Sequence, residues 1–196
     1  MRRRLLIAGA VVLLAAAAGA AAIISTRGDA TRSRGPTATS PPAAASLAAR
    51  FAVLRNAHSN RCGMPASALE TMPPGARLQG ACCFPMNYHS YVHQVGELNR
   101  RYATVDVIPK DPSDVPVSLA KRLLGYRGIN LTPAQQRLYN RAKPLSETKG
   151  PCCCPCWRWD AFEGQAKYLI TRRDYSAKQV ADVWTLEEGC GGGGES

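Results

Sequence analysis

Apolar side chains recur at helical spacing from Phe84 onward, and this pattern predicts several helices. The first has six apolar or aromatic positions on one side: Tyr88, Tyr91, Val92, Val95, Leu98 and Tyr102. A second is predicted from Asp114, whose carboxylate can cap the helix, to Gly125, which can end it, with Pro116 in the first turn. Its apolar side consists of Val117, Ala120, Leu123 and Leu124.

Two capping boxes mark the starts of two further helices, at Thr132–Gln135 and at Ser176–Gln179. Pro133 occupies the first helical position of the former, and Gly189 can close the latter. Another helix is predicted between them, over residues 157–171. The inward-facing positions expected in these three helices are Leu138, Tyr139, Phe162, Ala166, Tyr168, Leu169, Val180, Val183, Trp184 and Leu186.

No segment alternates between apolar and polar residues in the way that predicts a strand. We therefore expect an all-α fold, a small helical bundle of about five helices. Prolines and glycines scattered between residues 47 and 80 indicate irregular loops around a short helical piece. The cysteine-rich helical domain is expected to span residues 47–190, followed by a disordered glycine-rich tail at 191–196.

The N-terminal part of the chain differs from this domain. Arg2–Arg4 precede the uncharged apolar segment Leu5–Ile24, which as a helix is long enough to cross the ~30 Å core of a bilayer. Small residues at Ala18–Ala22 also fit a signal-peptide cleavage site. Residues 1–24 are thus a predicted signal peptide or signal anchor, and 25–46 a flexible linker rich in Thr, Ser, Pro and Ala. Either way the domain would lie outside the cytoplasm, tethered to the cell membrane or secreted after cleavage.

Charge changes this picture little. The 25 Lys and Arg residues outnumber the 14 Asp and Glu, for a formal net charge of +11. The basic residues are scattered singly, as at Arg77 and Lys121, without a stripe of interleaved aromatic residues. We therefore expect no nucleic acid among the partners.

Cysteine placement is the most specific feature of the chain. Four of the eight cysteines lie in Pro151–Cys156, just before the helix predicted from Trp157. The positive end of that helix favours thiolates, which bind soft metals and exchange disulfides. The Trp157 helix and the helix from Ser176 have comparable lengths and are joined by a turn near Asp174. The spacing therefore predicts that Cys190 returns toward the cluster.

A second group begins at Cys82 and Cys83, again just before a predicted helix. His89 and His93 follow at i, i+4 spacing, with Met86 one turn earlier, so the three share a helical face. Cys, Met and His together suit Cu(I), and Cys with His suits zinc. Alternatively, this is an ordinary solvent-exposed face of the helix. The histidines become ligands only if the Pro151–Cys156 segment folds over it.

Disulfides are the main alternative use of these thiols, since eight is an even number and an extracytoplasmic site permits bridges. Adjacent cysteines do not pair with each other without strain. The four cysteines in Pro151–Cys156 would then need distant partners, namely Cys62, Cys82, Cys83 and Cys190. A disulfide-stapled structural or interaction domain and a thiol-disulfide redox protein both remain alternatives to a metal site.

Pro151–Cys156 resembles the motif of the bacterial exported PCYCGC proteins, with the proline and three alternating cysteines in place. Here cysteine replaces the motif's tyrosine at Cys153 and proline replaces its glycine at Pro155. The resemblance covers about residues 149–190. It implies export and a cysteine site, and it implies no particular reaction.

Together these patterns predict a membrane-tethered, extracytoplasmic protein that binds a soft metal ion, Cu(I) or Zn²⁺, for metal binding, sensing or delivery. The predicted ligands are Cys82, Cys83, Cys152, Cys153, Cys154, Cys156 and Cys190, with His89 and His93 as optional members. No serine elbow, carboxylate pair or His-Glu-x-x-His motif occurs in the sequence, so an enzyme is not favoured.

Overall fold

The structure is a computed structural model and describes residues 43–191, with side chains from Leu47 onward. The apolar segment Leu5–Ile24, most of the predicted linker and the tail after Gly191 lie outside the described residues. Six α-helices occur in the described part: α1 Ala43–Leu54, α2 Tyr88–Tyr102, α3 Val117–Gly125, α4 Pro133–Leu145, α5 Trp157–Arg172 and α6 Ala177–Leu186. None of them is both long enough and apolar enough to cross a bilayer.

The described chain is thus mostly helical, and the five helices predicted from the apolar pattern all form. Both capping boxes are present, with Thr132 and Ser176 each accepting a hydrogen bond from the backbone of the glutamine three residues later. The first helix, α1, begins at Ala43, four residues before the predicted start of the domain. Asp174, with φ 53°, occupies the left-handed region in the turn that reverses the chain between α5 and α6.

The expectation of a fold without strands was wrong in detail. Two short strands, β1 Arg77–Gln79 and β2 Asp114–Pro116, pair antiparallel, with Leu78 opposite Val115. Each strand has only three residues, too few for an alternating pattern to stand out from the surrounding loops. Each nevertheless places one fully buried apolar side chain in the core.

Asp114 was predicted to cap α3, and this was wrong as well. Pro116 precedes α3 without a side-chain cap, because Asp114 belongs to β2 and its carboxylate pairs with Arg50 and Arg77. Arg50 also forms an ion pair of 2.7 Å with Asp111. The two pairs of Arg50 fasten α1 to the segment before α3, and the pair of Arg77 joins β1 to β2.

Helix α5 lies at the centre of the core. Its residues Trp157, Phe162 and Leu169 are fully or almost fully buried, and they pack with apolar side chains of α3, α4 and α6. Gly164 lies where α5 approaches α3, and a Cβ atom there would overlap the carbonyl oxygen of Leu123. Tyr168, expected to face inward, is only partly buried and stacks on Tyr126 instead.

Candidate metal centre

Four separate pieces of chain meet at one end of α5: residues 61–64, 81–87, 151–156 and 189–191. Backbone hydrogen bonds hold them together. The amide of Cys62 donates to the carbonyl of Cys82 (2.8 Å), and the amide of Cys82 donates to Gly189 (2.9 Å). The amide of Phe84 donates to Cys190 (2.7 Å). The cysteines are therefore positioned by the backbone as well as by their sulfurs.

Glycine makes this convergence feasible at its tightest point. Gly191 has φ 111°, a conformation that favours glycine, and a Cβ atom there would overlap the backbone at Phe84. Another backbone hydrogen bond joins α5 to residues 61–64: the amide of Trp157 donates to the carbonyl of Met64 (2.8 Å). That bond fixes the start of α5, and with it Cys156, against residues 61–64.

Three free thiols form the outer part of the centre. The Sγ atom of Cys83 lies 3.0 Å from that of Cys62 and 3.7 Å from that of Cys154, and the latter two are 3.6 Å apart. Cys62 is exposed, and the other two are half-buried. This trio is open to solvent and reactants.

The inner part of the centre contains Cys82, Cys152, Cys156 and Cys190, all at most 8% exposed. Cys190 forms a disulfide with Cys153, which confirms that the C-terminal segment returns to the cluster. The Sγ atom of Cys190 lies 3.6 Å from the Sγ atom of Cys82 and 4.0 Å from the Sγ atom of Cys152. The disulfide is thus surrounded by reduced thiols.

Within the described residues, three groups of cysteine sulfurs are close enough to share a metal ion. In each group, all the sulfurs lie within 4.8 Å of one another. The groups are Cys62–Cys83–Cys154, Cys82–Cys83–Cys153–Cys190 and Cys152–Cys153–Cys154. Only the first consists entirely of free thiols, since the other two include disulfide sulfurs. No carboxylate or imidazole belongs to any of the three groups.

The thiols differ from the expectation of lowered pKa values. Burial, helped by the hydrogen bond with Cys62, raises the pKa of Cys83 to about 12. Burial and the neighbouring Cys156 raise the pKa of Cys154 to about 12 as well. The hydrogen bond with Cys152 and burial raise the pKa of Cys156. Crowding and desolvation therefore outweigh the helix dipole, and a metal ion must displace protons to bind.

Not all of the predicted ligands belong to the three sulfur groups. Six of the seven predicted cysteines belong to the three groups, whereas Cys156 lies outside them. His89 and His93 are exposed on α2 and belong to none of the groups. Met86 packs against apolar side chains of α1 and α2.

Cys62 was missed as a ligand and considered only as a disulfide partner. It stands alone in the sequence, 20 residues before the next cysteine, so no local motif marks it. The backbone hydrogen bond from Cys62 to Cys82 brings it into place, and that is a long-range contact.

Buried polar side chains lie in the core behind the centre. The guanidinium of Arg158 is fully buried and donates to the carbonyl oxygens of Pro112 and Glu187. Gly189 leaves room for that guanidinium, since a Cβ atom would overlap it. Gln165 donates to the carboxylate of Glu187 at 2.6 Å, and burial raises the pKa of Glu187 to about 8.

Comparison with known proteins found no family model, no curated protein and no solved structure that matches this chain. The resemblance of Pro151–Cys156 to the exported PCYCGC proteins therefore stays a prediction. The geometry itself establishes a cluster of eight cysteines, six of them free, in which seven sulfurs belong to groups that could hold a metal ion.

Proposed function

We propose that this protein binds a soft metal ion, Cu(I) or Zn²⁺, outside the cytoplasm. The ion is held by the outer thiol trio, Cys62, Cys83 and Cys154. Residues 5–24 tether the domain to the membrane unless they are cleaved. The role is binding, sensing or delivery of the metal rather than catalysis.

The observation that carries this proposal is the spacing of three free thiols. Zinc–sulfur bonds of about 2.3 Å in tetrahedral geometry need sulfurs about 3.8 Å apart. The sulfurs of the trio lie 3.0, 3.6 and 3.7 Å apart. Small side-chain rotations would open the shortest of these distances to the value for a bound ion, which supports the trio as the site.

The donor set decides the class of metal. Thiolates select Cu(I) and zinc, whereas magnesium and calcium prefer oxygen ligands. All three sulfur groups in the described residues consist of cysteine alone. A site with three protein ligands also leaves a position for a ligand from solution, which supports exchange with a partner over permanent storage.

The location outside the cytoplasm rests on two independent supports. The sequence offers Arg2–Arg4 followed by the apolar Leu5–Ile24, in the order typical of exported chains. The domain carries the Cys153–Cys190 disulfide, and such bonds persist mainly in oxidising compartments.

That disulfide also favours a second candidate, a structural domain in which the cysteines serve only as cross-links. Under this alternative the six remaining thiols would pair during export. The protein would then contain four disulfides and no metal.

The experiment that separates the two is elemental analysis combined with a thiol count on the full chain, purified from an oxidising compartment without added metal. We expect one equivalent of copper or zinc. Of the six free thiols, three should react with a thiol reagent only after chelation. Cys62→Ser should abolish the metal, and Cys156→Ser, which changes a cysteine outside the three groups, should retain it.

A protein with neither metal nor reactive thiols, and a mass eight hydrogen atoms lighter than the reduced chain, would establish the cross-linked domain instead. Metal retained in full by Cys62→Ser would exclude the outer trio as the site.

A further inference from the structure

The two sulfurs of the disulfide have very different environments. Cys153 is exposed, whereas Cys190 is only 2% exposed. The Sγ atom of Cys83 lies 3.9 Å from that of Cys153, and the Sγ atom of Cys82 lies 3.6 Å from that of Cys190. One end of the bond is therefore open to an incoming thiol, and both ends have reduced thiols as neighbours.

The disulfide has a chemical consequence besides cross-linking. It brings Cys153 to the segment of Cys190, which backbone hydrogen bonds from Phe84 to Cys190 and from Cys82 to Gly189 already hold beside Cys82 and Cys83. The bond also removes two sulfurs from a group of four, Cys82, Cys83, Cys153 and Cys190, whose sulfurs all lie within 4.8 Å of one another. A sulfur in a disulfide carries no negative charge and is a poor metal ligand.

We propose that reduction of Cys153–Cys190 creates a second metal site from these four sulfurs, so that the disulfide sets how many soft metal ions the protein holds. The oxidised protein holds one ion at the outer trio, and the reduced protein holds two. The inference rests on the proposed function, since it adds a site beside the outer trio.

Cys83 is the sulfur that the two sites share. Its Sγ atom lies within 4.0 Å of four others, those of Cys62 (3.0 Å), Cys82 (3.5 Å), Cys153 (3.9 Å) and Cys154 (3.7 Å). Thiolates commonly bridge two soft metal ions. One bridging Cys83 thus joins the trio and the four-sulfur group into a single two-ion centre.

The reductant is a dithiol, either a small molecule or a protein. One of its thiolates attacks the exposed Sγ of Cys153, the Cys153–Cys190 bond breaks, and Cys190 leaves as a thiolate. The second thiol of the reductant then attacks its own sulfur in the mixed disulfide and releases Cys153. Two electrons pass to the protein, and the dithiol departs as a disulfide.

The test is a zinc count on the full chain under anaerobic conditions, with and without prior reduction by a phosphine that is removed before zinc is added. Excess zinc is removed by gel filtration, and bound zinc is measured by elemental analysis. Peptide mapping confirms that the oxidised sample contains the Cys153–Cys190 bond. We expect one zinc per chain when oxidised and two when reduced.

Variants assign each ion to its sulfurs. Cys62→Ser should bind none when oxidised and one when reduced, because only the outer trio is lost. The double variant Cys82→Ser/Cys190→Ser should bind one with or without reductant, because the four-sulfur group is lost. Cys156→Ser is the matched control and should repeat the wild-type counts. Near-ultraviolet circular dichroism of the buried Trp157 and Trp184 verifies that each variant is folded.

The outcomes separate the two proposals. No zinc in either redox state, and no copper when the count is repeated with Cu(I), would overturn the proposed function and this inference together. An equal count in both states, whether one or two, would overturn the redox-formed site and leave metal binding intact. Two zinc ions bound by the double variant, which lacks Cys190 and so has no Cys153–Cys190 bond to reduce, would place the second ion elsewhere and overturn the assignment to the four-sulfur group.

Discussion

The helical core and the cysteine centre are built on different principles. In the core, large side chains such as Trp157, Phe162 and Trp184 are buried without solvent contact. Fully burying a large apolar side chain stabilises the fold by about 1.5–3 kcal/mol relative to leaving it exposed. The cysteine centre instead packs small sulfurs between four loops, and Trp159 is the large apolar side chain that packs against it.

This difference indicates what the cysteines do. A chain with such a core does not depend on sulfur cross-links for its fold, as very small domains do. Only one of the four possible disulfides is formed, and six free thiols remain close together. The six free thiols therefore contribute less to stabilising the fold than the core does, and substitutions in the core and in the centre should have separate effects.

The largest effect is expected where α5 touches α3. Replacing Gly164 with Ala places a Cβ atom against the carbonyl oxygen of Leu123 and the backbone nitrogen of Arg127. Backbone atoms cannot move aside as a flexible side chain can, so we expect a loss of about 2–3 kcal/mol in the free energy of unfolding. Urea unfolding followed by tryptophan fluorescence measures it.

The matched control is Gly96→Ala on α2, where a Cβ atom meets nothing within 4 Å. Alanine is the better helix former, so this variant should gain up to about 1 kcal/mol. Under native conditions both variants should keep the wild-type zinc count. Equal stability of the two variants would mean that the close contact between α3 and α5 is absent in solution.

A smaller effect for each pH unit, one that accumulates between about pH 4.5 and 8, is expected from Glu187 in the core behind the centre. Burial raises its pKa to about 8, against an ordinary value of 4.5, although Gln165 and Arg158 both favour the charged form. The folded state therefore keeps the proton over a pH range in which the unfolded state has lost it. This contribution to stability is complete below about pH 4.5 and is lost as pH rises through 8, by up to about 1.4 kcal/mol per pH unit.

Glu187→Gln removes the titrating group and should flatten this dependence between pH 5 and 8. The comparison requires urea unfolding of both proteins across that range. Glu97→Gln on α2, at a half-buried residue that pairs with Arg100, is the control and should leave the slope as in the wild type. A wild-type slope retained by Glu187→Gln would assign the dependence to other groups.

How much the sequence reveals also differs between core and centre. The core helices follow from local signals, namely apolar spacing and the capping boxes at Thr132 and Ser176, because each depends on residues within one or two turns. The return of Cys190 was predictable for the same reason, as it follows from two helices of similar length. The short strands and the ion pairs of Asp114 depend on distant partners, and the sequence pattern misassigned both.

The centre shows the same limit more sharply. Clustered cysteines mark it in the sequence, yet which sulfurs group together depends on how four loops meet. Cys62 joined the centre through a long-range backbone hydrogen bond, and Cys156 fell outside the three sulfur groups although it lies in the densest cysteine run. The raised pKa values were also missed, because they arise from burial and from neighbouring thiols.

The smallest effect is expected from the two histidines that the sequence placed among the optional ligands. His89 and His93 are exposed on α2 and belong to none of the sulfur groups. The double variant His89→Ala/His93→Ala should therefore bind zinc with an affinity within about threefold of the wild type. Competition with a chromophoric chelator at pH 7 measures this, and Cys62→Ser in the same assay should lose at least about 100-fold. A comparable loss in the histidine variant would mean that α2 turns its polar face to the metal on binding, extending the centre beyond the cysteines. An unchanged affinity would confine the metal to sulfur and favour the solvated-face interpretation of the histidine pair.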